Sequence, residues 1–269
     1  MRVIIISDME GISGIVKWEQ VKGGDPMYEE CRKLYTEEIN AAVRGAISGG
    51  ASEVVVMDCH GAGGGWSFNS LVPDMLDPRC EYVVQQIWTG YTGALEQGCD
   101  AALFIGMHAM AGTPMGVLSH TVSSEAWHNL WFNNIRVGET GINAALCGNW
   151  GCPVLLVTGD KATCDEARAL LGDDLMTVAV KEGLGRNSAR QIPPQRARQM
   201  IEDAAKKAIE ERPSVLPYNP GEPCEIKVEV VSPDRVEPYR HKAGVHITEP
   251  RVIVSQADDW WSAWKQFWL

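Results

Sequence analysis

The chain predicts an α/β fold: a mostly parallel sheet with helices on both faces, plus a smaller C-terminal α+β part. Three observations carry this. Short apolar runs alternate with helical stretches over most of the 269 residues, the pattern of successive strand–helix–strand units. Two runs, 54–57 and 154–157, are apolar throughout, as strands covered on both faces should be. After Pro213 prolines and glycines cluster as far as Pro223, and Ile226, Val228 and Val230 then alternate with charged residues, the period-two signature of a half-exposed strand. We therefore expect a core over residues 1–212 and an extension over 213–269 packed on it.

In chain order, strands are expected at 2–7, 53–58, 82–86, 101–107, 153–158 and 175–180, with helices at 27–48, 90–97, 140–149 and 161–171. Asn133-Asn134, between Trp131-Phe132 and Ile135-Arg136-Val137, marks a hairpin. Residues 196–211 read as a charged surface helix closed by Arg212-Pro213. Near the end, Trp260, Trp261, Trp264 and Trp268 fall at helical spacing, as in an amphipathic helix docked on the core or on a neighbouring subunit.

Composition narrows the function. A net charge of −11 argues against nucleic acid, whose binding rests on neutralised phosphates. No apolar run is long enough to span a bilayer, the amino terminus lacks the pattern of a signal peptide, and a cytoplasmic location is expected. The eight cysteines form no CxxC pair and read as reduced, mostly buried thiols.

The chemistry-bearing residues gather after strands. Asp8 and Glu10 follow the run Val3-Ile4-Ile5-Ile6 and precede Gly11, Ser13 and Gly14. Side chains two apart on a strand share a face, and two close carboxylates repel unless a proton or cation lies between them. His60 follows the strand 53–58 and leads into a glycine-rich loop; His108 follows the strand 101–107. In a parallel sheet these three ends lie on one side, so Asp8, Glu10, His60 and His108 can form a mixed carboxylate–imidazole site suited to zinc, manganese or iron. His120, beyond a loop with Gly112, Pro114 and Gly116, reads equally as an acid/base group or as a surface loop histidine. Glu139, at a helix start, is locally explained by the helix dipole alone. His128 reads as packing among Trp127 and Trp131, and His241 and His246 receive no role.

These pieces resemble the zinc-dependent D-aminopeptidases of the dipeptide-transport-operon type. The resemblance rests on Ser7-Asp8-Met9-Glu10-Gly11-Ile12-Ser13-Gly14, Asp58-Cys59-His60, Gly106-Met107-His108-Ala109, Ser119-His120, Gly138-Glu139-Thr140-Gly141-Ile142-Asn143-Ala144 and Val154-Leu155-Leu156-Val157-Thr158-Gly159-Asp160, in that order. It covers most of the chain and is weakest after Pro213. It implies two zinc ions per chain with Asp8, Glu10, His60, His108 and Glu139 as ligands and Asp8 shared. It places His120 at the family's catalytic nucleophile. It further implies short peptide substrates with D-residues at the amino terminus and a ring-shaped homodecamer. Cys59 stands where a serine is common, and the tryptophan-rich tail is unusual for the family.

Two other readings remain at this stage. Asp8-x-Glu10 with Gly159-Asp160 loosely echoes haloacid-dehalogenase-type phosphatases, with Asp8 as nucleophile and magnesium bound; that leaves His60, His108 and Glu139 unused. The other is a non-catalytic, metal-stabilised oligomer that binds peptides through an exposed tryptophan tail.

Overall fold

The computed structural model describes residues 1–86 and 92–268. Its larger sheet has seven strands: β1 (Arg2–Ser7), β2 (Glu53–Asp58), β3 (Glu81–Val83), β4 (Ala101–Met107), β7 (Val154–Asp160), β8 (Met176–Gly185) and β9 (Ser188–Gln191). Their spatial order is β3-β2-β1-β4-β7-β8-β9. All pairings are parallel except β8–β9. The central strands β1, β4 and β7 are buried almost throughout, which explains their unbroken apolar runs.

Helix α1 (Tyr28–Ser48) leads from β1 to β2, and α4 (Lys161–Leu171) leads from β7 to β8. The first crossover runs towards β3 and the second runs the opposite way. Right-handed crossovers in opposite directions put their helices on opposite faces. α5 (Pro194–Glu211) returns to pack along α1, while α3 (Glu139–Asn149) and α4 cover the other face. The charged surface helix thus has a buried stripe of Ala197, Ile201, Ala205, Ala208 and Ile209. The order in which strands are added to the sheet reverses between β1 and β4, and such a switch point opens a crevice at the strands' carboxyl ends.

A second sheet is antiparallel, in the order β11-β12-β10-β5-β6. It joins the hairpin β5 (Trp127–Phe132) and β6 (Ile135–Val137) to β10 (Cys224–Val230), β11 (Val245–Glu249) and β12 (Val252–Ala257). On it lies α6 (Trp260–Lys265), with Trp264 edge-on to Phe132 and Trp127.

The strand expected at 82–86 is cut to Glu81–Val83, because this edge strand pairs with β2 only at Val55–Met57. The helix expected at 90–97 begins on residues outside the described ones; within them α2 spans only Gly93–Glu96. The strand expected to end at residue 180 runs on to Gly185, carried by its pairing with β9. The tail is not exposed: Trp260, Trp264 and Phe267 are buried. His128 is exposed rather than packed. Cys31, Cys80, Cys99, Cys147, Cys152, Cys164 and Cys224 are unbridged thiols. No helix among the described residues is long and apolar enough to cross a membrane.

Candidate metal centre

Strand register brings the residues together. Ser7 pairs with Asp58 on one side and Ile105 on the other, so the chain leaves β1, β2 and β4 at one level. The two central ends touch: the Asp8 amide donates to the Ile105 carbonyl (2.9 Å) and the Gly11 amide to that of Gly106 (2.8 Å). Gly106 has φ = 75°, and a Cβ there would strike the Asp8 carbonyl; one on Gly11 would strike the Met107 carbonyl. Glycine at both places lets the two loops lie backbone to backbone.

Asp8, Glu10, His60 and His108 are all at most 3% exposed. His60 Nδ1 lies 3.0 Å from Asp8 Oδ1 and 3.1 Å from Glu10 Oε2; His108 Nε2 lies 3.4 Å from Asp8 Oδ2 and 3.2 Å from Glu139 Oε1. Asp8 therefore turns one oxygen to each histidine. Glu139 is the first residue of α3, delivered by β6 and Gly138. Its Oε1 also accepts from the Val122 amide at 2.8 Å and lies 3.7 Å from His120 Nε2. His120 stacks on His108, ring centroids 4.0 Å apart. All six residues singled out in the sequence thus converge.

The outer contacts fix the imidazoles. His60 Nε2 faces the Val21 carbonyl (2.7 Å), His108 Nδ1 that of Ala109 (3.0 Å) and His120 Nδ1 that of Leu118 (2.9 Å). A carbonyl oxygen only accepts, so each of those nitrogens carries the proton and the opposite nitrogen presents a lone pair inward. His60 Nδ1 then faces two carboxylate oxygens, lone pair against lone pair, unless a proton or a metal ion lies between. Glu10 Oε2 and His108 Nε2 are buried without a hydrogen bond of acceptable geometry. The separations match the edge of a tetrahedral zinc site, about 3.3 Å for bonds of about 2.0 Å.

The charges tell the same story. Burial and the neighbouring Glu10 raise Asp8 to about 7. Burial would raise Glu10 and Glu139 too, but His60 holds Glu10 well below its ordinary value and His108 takes Glu139 to about 2. Against burial, Glu10 lifts His60 and Glu139 lifts His108 well above the imidazole range. Burial, then His108, lowers His120. The carboxylates draw positive charge onto two positions, beside His60 and beside His108.

Several positioning residues escape sequence reasoning. Asp58 accepts from the amides of His60, Ser70 and Leu71 and from the Tyr35 hydroxyl, setting the His60 turn. Lys181 is fully buried and donates to the carbonyls of Glu10 (2.6 Å), Ile12 (2.8 Å) and Ile15 (2.7 Å). Asp160 caps α4 through the Thr163 amide (2.7 Å) and accepts from the Val117 amide (2.5 Å). That structural duty removes the late acidic residue on which the phosphatase alternative relied. Leu118 and Val122, on either side of His120, have φ of 50° and 60°, strained values for bulky residues.

A parallel sheet with a buried carboxylate–imidazole cluster at its switch point defines an α/β metalloenzyme. The model of the D-aminopeptidase family matches residues 1–269, and the chain belongs to that family. It is 30% identical over 267 residues to a D-aminopeptidase of Bacillus subtilis (strain 168), covering 98% of this chain and 94% of that one. Among solved structures it is similar to the zinc-dependent D-aminopeptidase DppA from Bacillus subtilis, a self-compartmentalizing protease. The TM-score is 0.91 at 29% identity, over 99% of this chain and 95% of that one. The chain is a metal-dependent aminopeptidase, a hydrolase.

Proposed function

We propose that the chain holds two zinc ions and removes the amino-terminal residue, of D configuration, from short peptides or amides. Asp8, Glu10, His60, His108 and Glu139 are the ligands in this reading. Asp8, which turns Oδ1 to His60 and Oδ2 to His108, would be the residue shared by the two ions. The observation that carries the proposal is the orientation of the imidazoles: protons turned outward onto carbonyls, lone pairs turned inward onto carboxylates. Zinc ions bound there supply Lewis acidity towards the scissile carbonyl and lower the pKa of water.

The remaining steps belong to the protein. His120 is anchored through Nδ1 on Leu118 and kept neutral by burial and by His108. His120 lines the same cavity of about 230 Å³ as Asp8, Glu10 and His60, and its Nε2 lies 3.7 Å from Glu139 Oε1. A neutral, fixed imidazole takes a proton from the attacking water and returns it to the leaving amine; we assign it that role rather than nucleophile. Asn143 lies one turn beyond Glu139 on α3 and also lines the cavity, where its amide can hold the substrate backbone. The similar Bacillus protein is described as self-compartmentalizing; we extend this to a cytoplasmic homodecamer with its sites facing an inner channel.

The test pairs metal analysis with a panel of D- and L-aminoacyl amides and dipeptides. Two zincs per chain and turnover of the D-series are expected. Asp8→Ala should lose both ions. One ion per chain, full occupancy in that variant, or a preference for the L-series would each refute the corresponding part.

A further inference from the structure

The cavity is lined by two unlike sets of residues. One is the carboxylate–imidazole cluster. The other is apolar and comes from four separate segments: Phe68 after β2, Val122 beyond His120, Ile142 on α3, and Trp264 and Trp268 from the tail. We infer that this apolar set forms the pocket for the side chain of the substrate's amino-terminal residue, and that it selects bulky apolar side chains over alanine. The inference rests on the aminopeptidase reading above. In that reading the amine and the scissile carbonyl, both polar, sit at the cluster. Among the described lining residues, the side chain on the carbon between them then meets the apolar set.

Three observations support a built pocket. The wall is rigid: Trp268 stacks on Trp127 (15° between planes), and Trp264 stacks on Trp260 and meets Phe132 edge-on. Aromatic walls held this way lose little entropy on binding. Two wall residues are held at φ values that their types avoid, Phe68 at 58° and Val122 at 60°. Phe68 is clamped there by its amide on the His60 carbonyl (2.7 Å) and by the Gln85 amide on its own carbonyl (2.9 Å). Strain over-determined in this way concentrates at ligand contacts. Finally, the cavity's 230 Å³ lies below the range of roughly 300–1,000 Å³ for drug-sized ligands, which suits one residue with its adjoining amide.

The experiment compares D-alanine, D-leucine and D-phenylalanine amides as substrates of the zinc-loaded protein. In parallel, D-alaninol and D-leucinol, which have no bond to cleave, are titrated against intrinsic tryptophan fluorescence. Added methylenes in an apolar pocket are worth about 10-fold or more in discrimination. D-Leucine amide should exceed D-alanine amide by at least about 10-fold in kcat/KM, and D-leucinol should bind tighter than D-alaninol by a similar factor. Trp268→Ala should erase most of both ratios with zinc content retained. Phe68→Gly is the second variant; it opens the wall at a φ that glycine accepts without strain. Turnover and binding without discrimination, or ratios unchanged in both variants, overturn the pocket. If the amino alcohols discriminate but no amide is cleaved, the aminopeptidase reading fails and the pocket stands.

Discussion

Replacing Lys181 by methionine should destabilise the protein and weaken metal binding while touching no proposed ligand side chain. The Nζ makes three short hydrogen bonds to the carbonyls of Glu10, Ile12 and Ile15. Lys181 is 2% exposed, so water cannot take its place. Methionine is of similar length but leaves three buried acceptors unpaired. At about 1–3 kcal/mol each the loss would reach several kcal/mol, and relief from burying a charge offsets part of it. We expect a net loss of roughly 3 kcal/mol, a fall in Tm of about 6–12 °C for a chain near this size. The loop carrying Glu10 then loses its internal tie, and zinc affinity should fall by about 10- to 100-fold, the usual worth of a group that orients a ligand. Matched thermal scans and competition with a zinc chelator measure the two effects. A variant with wild-type zinc affinity would refute the positioning role. One with a Tm within about 2 °C of wild type would refute the hydrogen-bond argument.

His120→Ala should keep zinc content and fold, and lower kcat by roughly 10²–10⁴, the worth of a positioned acid/base group; loss of metal would make it a ligand instead. A change confined to KM would mean that it only holds substrate. Light scattering should show a particle several times the 29.5 kDa chain mass, and a monomer at micromolar concentration would exclude the assembly. Glu38, buried against the Ser13 amide and facing Lys181 and Arg198, is raised from 4.5 to about 7 by burial. Between those values the native state binds more protons than the unfolded one. This contribution to stability is therefore full below pH 4.5 and lost as pH rises through 7, about 3 kcal/mol in total. Glu38→Gln should flatten that slope in urea titrations, and an unchanged slope would assign it elsewhere.

Much of the site was legible because it is local in sequence. Asp8, His60 and His108 each follow an apolar strand, and a parallel sheet aligns those ends whatever the loops do. His120 and Glu139 were not legible from local pattern: a loop histidine and an acid at a helix start have ordinary explanations, and only the family resemblance raised them. Lys181 was hidden for a different reason. The β7–β8 register slips between Gly159 and Asp160, so that Asp160 pairs with Lys181. Val180 and Lys181 are consequently both buried, where regular alternation puts one of the two outside. The tail docks on the core, as its helical tryptophan spacing suggests. Its partners Trp127 and Phe132 on β5 lie more than a hundred residues earlier, however, so the spacing alone neither names them nor excludes the exposed tail that the non-catalytic alternative needs.

The two sheets meet at Glu139, and this makes the centre a product of their docking rather than of either alone. The larger sheet supplies Asp8, Glu10, His60 and His108 from one crevice. Glu139 comes from the end of β6, a strand of the other sheet, with Gly138 as the single residue between strand and helix. That residue has no room for a side chain: a Cβ on Gly138 would lie 2.7 Å from the Met110 Cβ, and Met110 follows His108 by two residues. The close approach of these backbones sets Glu139 Oε1 3.2 Å from His108 Nε2. The same second sheet carries the tryptophans that wall the cavity. Four of the five proposed ligands are thus grafted on the ends of the parallel strands, where loop geometry is tightly constrained by the core. The tryptophan part of the apolar wall, Trp264 and Trp268, packs on the antiparallel sheet, so those side chains can change without moving Asp8, Glu10, His60 or His108 on the larger sheet. That arrangement allows the reaction to be kept while the preferred substrate side chain shifts, and the tail of this chain is where such a shift would be written.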